Sequence, residues 1–472
     1  MSIEGHLQNR PLKQCTDETN GTVEILVKKM TIVNECTKKL PFPSSDIDST
    51  QEDIKAKYRF LDIRWNQELR KALLERSRLT LKARNWLQSR NFIDIDTPAL
   101  FKHTKEGARE FTVPYRRNSK YKYALSQSPQ QYKQLLISGG ISRYYQFAKC
   151  FRDEDHRSDR QSEFTQLDLE LAFVDEKDIM ELINGLILEL LPDLPPIEVM
   201  TFQEAISRYG TDKPDTRHKN SISTVERTGE RTIEFFDGPL THTSFTKGPQ
   251  DHVLLRCNDN GEVTTIFGDD NIQIPSHVLI APKEKTRYVL VRDSRYLSGI
   301  TPLGTCRNES QAGKETKNDS MLWVTNFPMF NTEMEPSHHP FTAPCEWNLN
   351  DPLSMNAKHY DLVFNGIEIG GGSIRIHDFK AQKLIFEKIL KLSQKATSDF
   401  KHLLDALSMG CPPHGGFAIG WDRFLMIVLK KNTVRDVIAF PKNSQGKDLC
   451  VGSPSEMVDH MRGENRSSIQ DL

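Results

Sequence analysis

The sequence is poor in the features that mark secreted, metal-clamped or membrane proteins. Its 472 residues hold eight scattered cysteines and no CxxC pair, which argues against a disulfide framework or a cysteine zinc site and for a reducing compartment. No apolar run approaches the roughly 18 residues that span a bilayer. The longest, GGFAIGWDRFLMIVL, is interrupted by Asp422 and Arg423, so no membrane partner is expected. The opening MSIEGHLQNRPLKQC lacks the apolar core of a secretion signal, and with Glu4 and few basic residues it is a poor mitochondrial presequence. Neither charge sign dominates: 63 basic and 64 acidic side chains leave a net charge of −1. That excludes a polycationic nucleic-acid coat and leaves RNA binding to local patches. Internal repeats are absent.

What remains is a chain with 37% hydrophobic and 27% charged residues, the balance of a soluble, enzyme-like globular protein of about two to four domains. Residues 1–50 contain one strand-like run, GTVEILVKKMTIVNE, and then a Pro- and Ser-rich linker, TKKLPFPSSDIDST. A long amphipathic stretch over residues 58–90 predicts helices that dock on a sheet. FIDIDTPAL alternates and stops at Pro98, as an edge strand can. Over residues 218–320 the texture turns polar, with strand-like HVLLRCN, PSHVLIAP and RYVLVRD, and CRNESQAGKETKNDS reads as a flexible tether. This segment is expected to be an inserted domain, flanked by 51–217 and 321–472.

Three stretches carry chemistry. In FRDEDHRSDRQSEFTQLDLELAF, alternation places Phe164, Gln166, Asp168 and Glu170 on one strand face and Thr165, Leu167, Leu169 and Leu171 on the other. Alternation alone fits any hairpin with one wet face. The wet face, however, combines acids with an aromatic and an amide, and the loop sets Arg152, Arg157 and Arg160 among Asp153, Glu154, Asp155 and Asp159. An arginine held by neighbouring carboxylates presents a fixed fork to a phosphate. In DLVFNGIEIGGGSIRIHD, Asp361 and Glu368 lie in one hairpin-like unit and Arg375 follows three glycines that permit close approach by a ligand. A bulged strand with a surface arginine is the competing reading. In GGFAIGWDRFLMIVL a buried strand turns into a helix near Asp422, and Arg423 lies where helix dipole and side chain both favour an anion; a buried Asp422–Arg423 pair is the alternative. His338 and His339 point opposite ways in an extended segment, which argues against zinc. QSPQQYKQLL sets Gln130 and Lys133 on one helical face, which alone describes an ordinary exposed helix.

Together these stretches resemble the signature motifs of class II aminoacyl-tRNA synthetases, and in detail the aspartyl-tRNA synthetases of the bacterial and organellar type. FIDIDTP resembles motif 1, FRDEDHRSDRQSEFTQLDLELAF motif 2 and GGFAIGWDRF motif 3. EGAREFTVP, QSPQQYKQLL, RYGTDKPDTR, LWVTNFPMF and HHPFTAP match in order between them. The resemblance implies an α+β fold: an antiparallel sheet flanked by helices, with a small inserted α+β domain and a partial N-terminal OB-type segment. It implies joining of L-aspartate to tRNA(Asp) through an aspartyl-adenylate, with ATP as substrate, Mg²⁺ held by Asp361 and Glu368, and a homodimer built through the motif 1 region. Arg152, Glu368 and Arg423 would be catalytic. Asp153, Glu154, Gln161, Phe164, Gly420, Trp421 and Asp422 would join them around ATP, with Phe164 stacking adenine opposite Arg423. Arg375 and Lys133 would read the aspartate side chain, with Asp168 fixing the lysine, while Glu106, Gln130, His338 and His339 close over the amino acid. The mitochondrial matrix is the expected location, with cytoplasm the alternative.

Three departures from the family pattern stand out. Ser162 replaces a proline in motif 2, the insert is shortened, and only the closing strand of the anticodon-binding barrel is recognisable, in residues 1–50. Two rival readings follow: an aspartate-activating ligase that reads no anticodon, and a non-catalytic RNA-binding relative. The intact set Arg152, Glu368, Arg375 and Arg423 argues against the second.

Overall fold

The alternation over residues 163–172 becomes a central strand of an eight-stranded sheet. The computed structural model describes residues 1–15, 20–104, 108–118, 120–218, 220–228, 231–238, 252–260, 262–268, 274, 278–283, 285–292, 299–311, 314, 316 and 318–456. The chain divides into two compact units, Met1–Asn66 and Gln67–Leu472.

In the first unit, Ser2–Asn9 pairs antiparallel with Val23–Thr31, so two strands form where the sequence suggested one. SIEGHLQN offers only Ile3 and Leu7 as apolar alternation, too little to announce a strand. Two short helices, Glu52–Lys57 and Arg59–Trp65, follow. Arg59 and Asp62 form a buried ion pair at 2.6 Å, and Phe42 meets Trp65 edge-on at 5.4 Å.

In the second unit the sheet strands, in chain order, are β1 (Ile93–Asp94), β2 (Arg143–Phe151), β3 (Glu163–Ala172), β4 (Glu198–Thr201), β5 (Met321–Thr325), β6 (His359–Phe364), β7 (Ile367–Ile374) and β8 (His414–Gly420). Their spatial order is β1-β2-β3-β8-β7-β6-β5-β4. The interior pairs are antiparallel, and the pairs at the two ends are parallel. Four helices matter for the site: α1 (Gln67–Gln88), α2 (Gln130–Ser138), α3 (Glu176–Leu190) and α4 (Trp421–Val428). The Asn365–Gly366 turn between β6 and β7 has φ of 52° and 81°, the two positive angles that a tight two-residue hairpin of matching twist requires.

The two faces of the sheet have opposite chemistry. Leu167, Leu169 and Leu171 of β3, Leu362 of β6 and Phe417 and Ile419 of β8 join side chains of α1, α3 and α4 in one apolar core. The other face carries Phe164, Gln166, Asp168 and Glu170, and cross-strand register extends it: Asp168 lies opposite Ala418, Ala418 opposite Gly371, and Gly371 opposite Asp361. Glycine is needed at two of these positions, because a side chain at Gly416 would strike the Glu170 carboxylate and one at Gly371 the Asp361 carboxylate.

The segment between the two halves of the sheet contains a five-stranded antiparallel sheet and its own core of Ile222, Phe236, Leu254, Tyr288, Leu290, Leu303 and Cys306. HVLLRCN and RYVLVRD are strands of it, whereas the described residues of PSHVLIAP bury Val278 and Ala281 without strand pairing. The first six residues of the expected tether, 306–311, instead belong to the helix Pro302–Gln311. Leu303, Cys306, Arg307 and Ser310 fall on one face of it and are buried, and Arg307 satisfies the carbonyls of Asn220, Asp215 and His218 at 2.7–3.1 Å. A helix that buries an arginine and a serine looks polar in sequence, which is why it read as a tether.

One ion pair ties the layers together. Arg76 of α1 bonds Asp422 of α4. The same guanidinium reaches the Val437 carbonyl at 3.1 Å, and the second Asp422 oxygen accepts from the Thr165 backbone N–H of β3 at 2.8 Å. D422N should therefore destabilise the protein by about 3 kcal/mol, since it leaves a largely buried guanidinium without its charge partner. An unchanged denaturant midpoint would show that this pair does not join α1, β3 and α4.

Candidate active site

Helix α2 lies across the polar face of the sheet. Its inward stripe, Gln130, Lys133, Gln134 and Ile137, has the i, i+3, i+4, i+7 spacing of a packed face, yet all but one of these are polar and all four are buried. Such a stripe is stable only if every polar group finds a partner. Lys133, 1% exposed, directs its three N–H groups at the Asp168 carboxylate (3.2 Å), the Glu170 carboxylate (3.2 Å) and the Leu169 carbonyl (3.4 Å). Glu170 in turn receives a bidentate pair from Arg375, at 2.9 and 3.2 Å, and Arg375 also donates to the Ser373 hydroxyl at 2.5 Å.

The result is a buried quartet of two acids and two cations. Burial opposes ionisation of Glu170, but Arg375 and Lys133 overcome it and hold its carboxyl at about 2. Asp168 is less well paired: burial pushes its carboxyl up despite Lys133, and its Oδ2 is buried without a hydrogen-bond partner among the described residues. Arg375 has five N–H groups and bonds three of them to described residues. The quartet thus leaves over one carboxylate oxygen and two guanidinium N–H groups.

Beyond the ends of β2 and β3, the charged loop walls an open cleft of about 320 Å³ lined by Arg109, Asp153, Glu154, Asp155, Arg157 and Arg160. Arg160 pairs with Glu154 at 3.3 Å and Arg109 with Asp153 at 3.8 Å. The Arg152 guanidinium sits over the Phe164 ring at 5.1 Å. Ser162 is buried, with its hydroxyl 3.2 Å from the His156 ring and its carbonyl accepting from the Arg152 N–H at 2.8 Å. It therefore joins both limbs of the loop by hydrogen bonding. Arg423, at the start of α4, donates to the Glu368 carbonyl at 2.9 Å and pairs with Asp159 at 3.3 Å, while its Nε is buried without a partner among the described residues. Gly420 lies on the same face, and a side chain there would meet only ordinary contacts, so the sheet offers an open floor at that point.

On the other flank, the Asp361 carboxyl lies 2.8 Å from His359 Nε2, within hydrogen-bond distance, and burial pushes that carboxyl up to about 7. His359 stacks on His338 at 3.4 Å. Burial keeps His359 at about 3, and keeps His339 at about 3 with the help of Arg375, Lys133 and Arg152. Glu368 pairs with Lys213 at 3.3 Å, and Lys213 with Asp212 at 2.9 Å.

The structure thus gathers Lys133, Asp168, Arg375, Gln130 and His339 around one buried centre, with Arg152, Phe164, Gly420, Arg423 and Glu368 toward the open cleft. Other sequence candidates lie elsewhere. Trp421 is 1% exposed, packs edge-on against Phe147 and donates to Thr80 in the apolar core. Asp422 faces the same side, with Arg76 rather than Arg423 as its partner. The first turn of α4 points these two side chains inward, so only Arg423 reaches the polar face. Both ends of the Gln161 amide are bonded to the backbone of Lys442, at 2.9 and 3.1 Å. Glu106 lies outside the described residues. Four residues of the centre escaped the sequence reading of the site: Glu170, Gln134, His414 and Lys213. Glu170 was visible in the alternation, and Lys213 in the GTDKPD stretch. Gln134 and His414 have no local signal at all.

The family of class II tRNA synthetases (D, K and N) matches residues 51–444. The aspartate–tRNA ligase of Flavobacterium psychrophilum is 38% identical over 97% of this chain and 86% of its own, and the mitochondrial aspartate–tRNA ligase of Rattus norvegicus is 39% identical over 96% and 77%. Among solved structures, the asparaginyl-tRNA synthetase of Pyrococcus horikoshii, complexed with asparaginyl-adenylate, superposes with a TM-score of 0.59 at 19% identity, covering 93% of this chain and 81% of its own. With a sheet of this order, Arg152 and Arg423 both beside the charged loop, and identities of this extent, the chain belongs to the class II tRNA synthetases, among the aspartate–tRNA ligases.

Proposed function

We propose that the protein attaches L-aspartate to tRNA(Asp) in two ATP-dependent steps, by way of an aspartyl-adenylate. The observation that carries this reading is the unequal saturation of the buried quartet. A ligand that brings one ammonium and one side-chain carboxylate supplies what is left over: its ammonium donates to Asp168 Oδ2 and its carboxylate takes the two spare N–H groups of Arg375. An amide in place of that carboxylate would face a guanidinium with an N–H group of its own and leave buried donors unpaired, a costly arrangement. Neutral His339 covers the same centre without adding charge.

ATP then occupies the open side. Arg152 holds the α-phosphate against the reacting carboxylate, Arg423 takes the terminal phosphate, and adenine stacks on Phe164 above the floor at Gly420. The acceleration comes from alignment and from guanidinium groups aimed at the charge that develops on phosphorus-bound oxygen. No covalent enzyme intermediate is needed. Asp361 and Glu368 fit Mg²⁺ in part: two carboxylates are too few for a protein cage, and no cluster of three or more candidate ligands occurs among the described residues. They suit an ion that keeps waters and takes further oxygens from phosphate. When bound, that ion would neutralise phosphate charge.

On the same reading, residues 1–50 are the remnant of an anticodon-binding domain, 218–320 an insertion, and the FIDIDTP region the contact of a homodimer. Relatives named as mitochondrial, in Rattus norvegicus and Dictyostelium discoideum, support a mitochondrial matrix location. No helix among the described residues is long and apolar enough to cross a membrane.

Aspartate-dependent exchange of pyrophosphate into ATP, followed by charging of tRNA transcripts, tests the proposal. Absence of exchange overturns it, and exchange without charging points to a ligase that has left tRNA behind. R375A should lower aspartate activation by roughly 10²–10³-fold, the consequence of removing the group that takes the substrate carboxylate and leaving Glu170 with Lys133 alone, while ATP binding by equilibrium dialysis survives. Loss of ATP binding with aspartate affinity intact would contradict the assignment.

Stability should also depend on pH in a defined direction. His338, His339 and His359 are held neutral below their ordinary value of 6.5. The unfolded chain therefore takes up protons that the fold refuses, and stability falls as pH drops from 6.5. Asp361 works oppositely between 3.8 and about 7, and cancels one of the three. H339N should flatten the pH dependence of the unfolding free energy, measured by denaturant titration between pH 6.5 and 4.5, by about 1.4 kcal/mol per pH unit. An unaltered slope would show that His339 titrates freely.

A further inference from the structure

Behind the quartet, a second line of buried polar groups leads away from the amino-acid centre. The Gln130 Nε2 lies 3.1 Å from Gln134 Oε1, Gln134 Nε2 lies 3.1 Å from His414 Nε2, and His414 Nδ1 lies 2.8 Å from the Pro412 carbonyl. Gln130, Gln134 and His414 are 3%, 0% and 0% exposed. No solvent is available to correct a wrongly oriented amide there, so donors and acceptors must alternate along the line.

The direction of that alternation is set at its far end. A backbone carbonyl can only accept, so His414 Nδ1 carries the proton. Burial disfavours the charged imidazole, as do Arg375 and His377, while Glu170 favours it; on balance the ring is held below its ordinary value and neutral. Its Nε2 is then an acceptor. Gln134 must present its NH₂ to that nitrogen, which turns its carbonyl toward Gln130. Gln130 must present its own NH₂ to that carbonyl, which leaves Gln130 Oε1 pointing away from the line. The polarity of an amide on α2 is thereby decided by a carbonyl next to β8.

We propose that Pro412, His414 and Gln134 form a positioning relay that holds Gln130 Oε1 outward as an acceptor for the α-ammonium of the amino acid. Without the relay the amide is free to reverse and offer N–H to an ammonium. This inference rests on the aspartate reading above and adds residues to it that never touch substrate. It also accounts for two features that packing alone leaves arbitrary: a fully buried histidine at the start of a sheet strand, and a glutamine where a helix facing a sheet would ordinarily carry leucine.

The test uses the full-length enzyme with Q134L, H414F and H414Q. Glutamine at 414 restores one donor and one acceptor at nearly the separation of the two ring nitrogens, with the Pro412 carbonyl again setting the sense. In pyrophosphate exchange, Q134L and H414F should raise the KM for aspartate about tenfold, the worth of one oriented hydrogen bond to a charged group, with kcat and the KM for ATP within about twofold. H414Q should recover most of the loss. Selectively ¹⁵N-histidine-labelled wild type, compared with H414Q, should show a His414 signal protonated at Nδ1 and bare at Nε2. A proton at Nε2 overturns the relay. So does an unchanged KM for aspartate in either disrupted variant that folds, or a parallel rise in both KM values. If the wild type itself fails to exchange pyrophosphate with aspartate, the aspartate reading and the relay fall together, which separates that failure from failure of the relay alone.

Discussion

Two acids on one strand, Asp168 and Glu170, face two cations that arrive from a helix and from a distant strand, Lys133 and Arg375. Charges buried this deeply are tolerated only when each has its partner in place, so the quartet constrains everything around it. It requires α2 to lie with a polar stripe against the sheet. It requires glycine at position 416, because a side chain there would occupy the space of the Glu170 carboxylate. It also requires β7 to continue past Ile374 far enough for Arg375 to reach across β8. The same constraint creates the site, since a network satisfied among the described residues except for one acceptor and two donors is already shaped for a small dipolar ligand.

The two faces of the sheet divide the labour. The apolar face, with its leucines, aromatics and three helices, supplies rigidity through close packing. The other face has an apolar cluster of its own at the β4–β5–β6 end, with Leu322, Val324 and Val363, and carries the charged quartet on its central strands. The Arg76–Asp422 pair and the Trp421 indole show how finely this division is drawn at the start of α4. Consecutive side chains there serve the core, the interlayer tie and the polar face. A site that must hold a reacting carboxylate and a phosphate in line benefits from this arrangement, since positions on strands and helix termini move less than positions on loops.

Much of the polar face was legible from alternation. A strand has a side-chain period of two, so Phe164 to Glu170 could be placed on one face with no other information, and the leucines on the other. The mixing of loop arginines with acids was legible as well, and Arg160 pairs with Glu154 there. Three readings missed for one shared reason. Residues 306–311 read as part of a tether, the α2 motif taken alone as an exposed helix, and Trp421 with Asp422 as site residues, because burial of polar side chains and exposure of apolar ones cannot be told from residue type alone.

The sequence by itself determined the motifs that mark the family and which residues of β3 share a face, because these depend on periods and spacings along the chain. Only the tertiary structure decided who pairs with whom. Lys133 meets Glu170 as well as Asp168, Asp422 meets Arg76 and not its neighbour, and Gln134 meets His414 across 280 positions. Partners brought together by chain folding leave no local signature, and in a low-dielectric interior it is the partner that decides whether a buried polar group is a structural tie or a binding site.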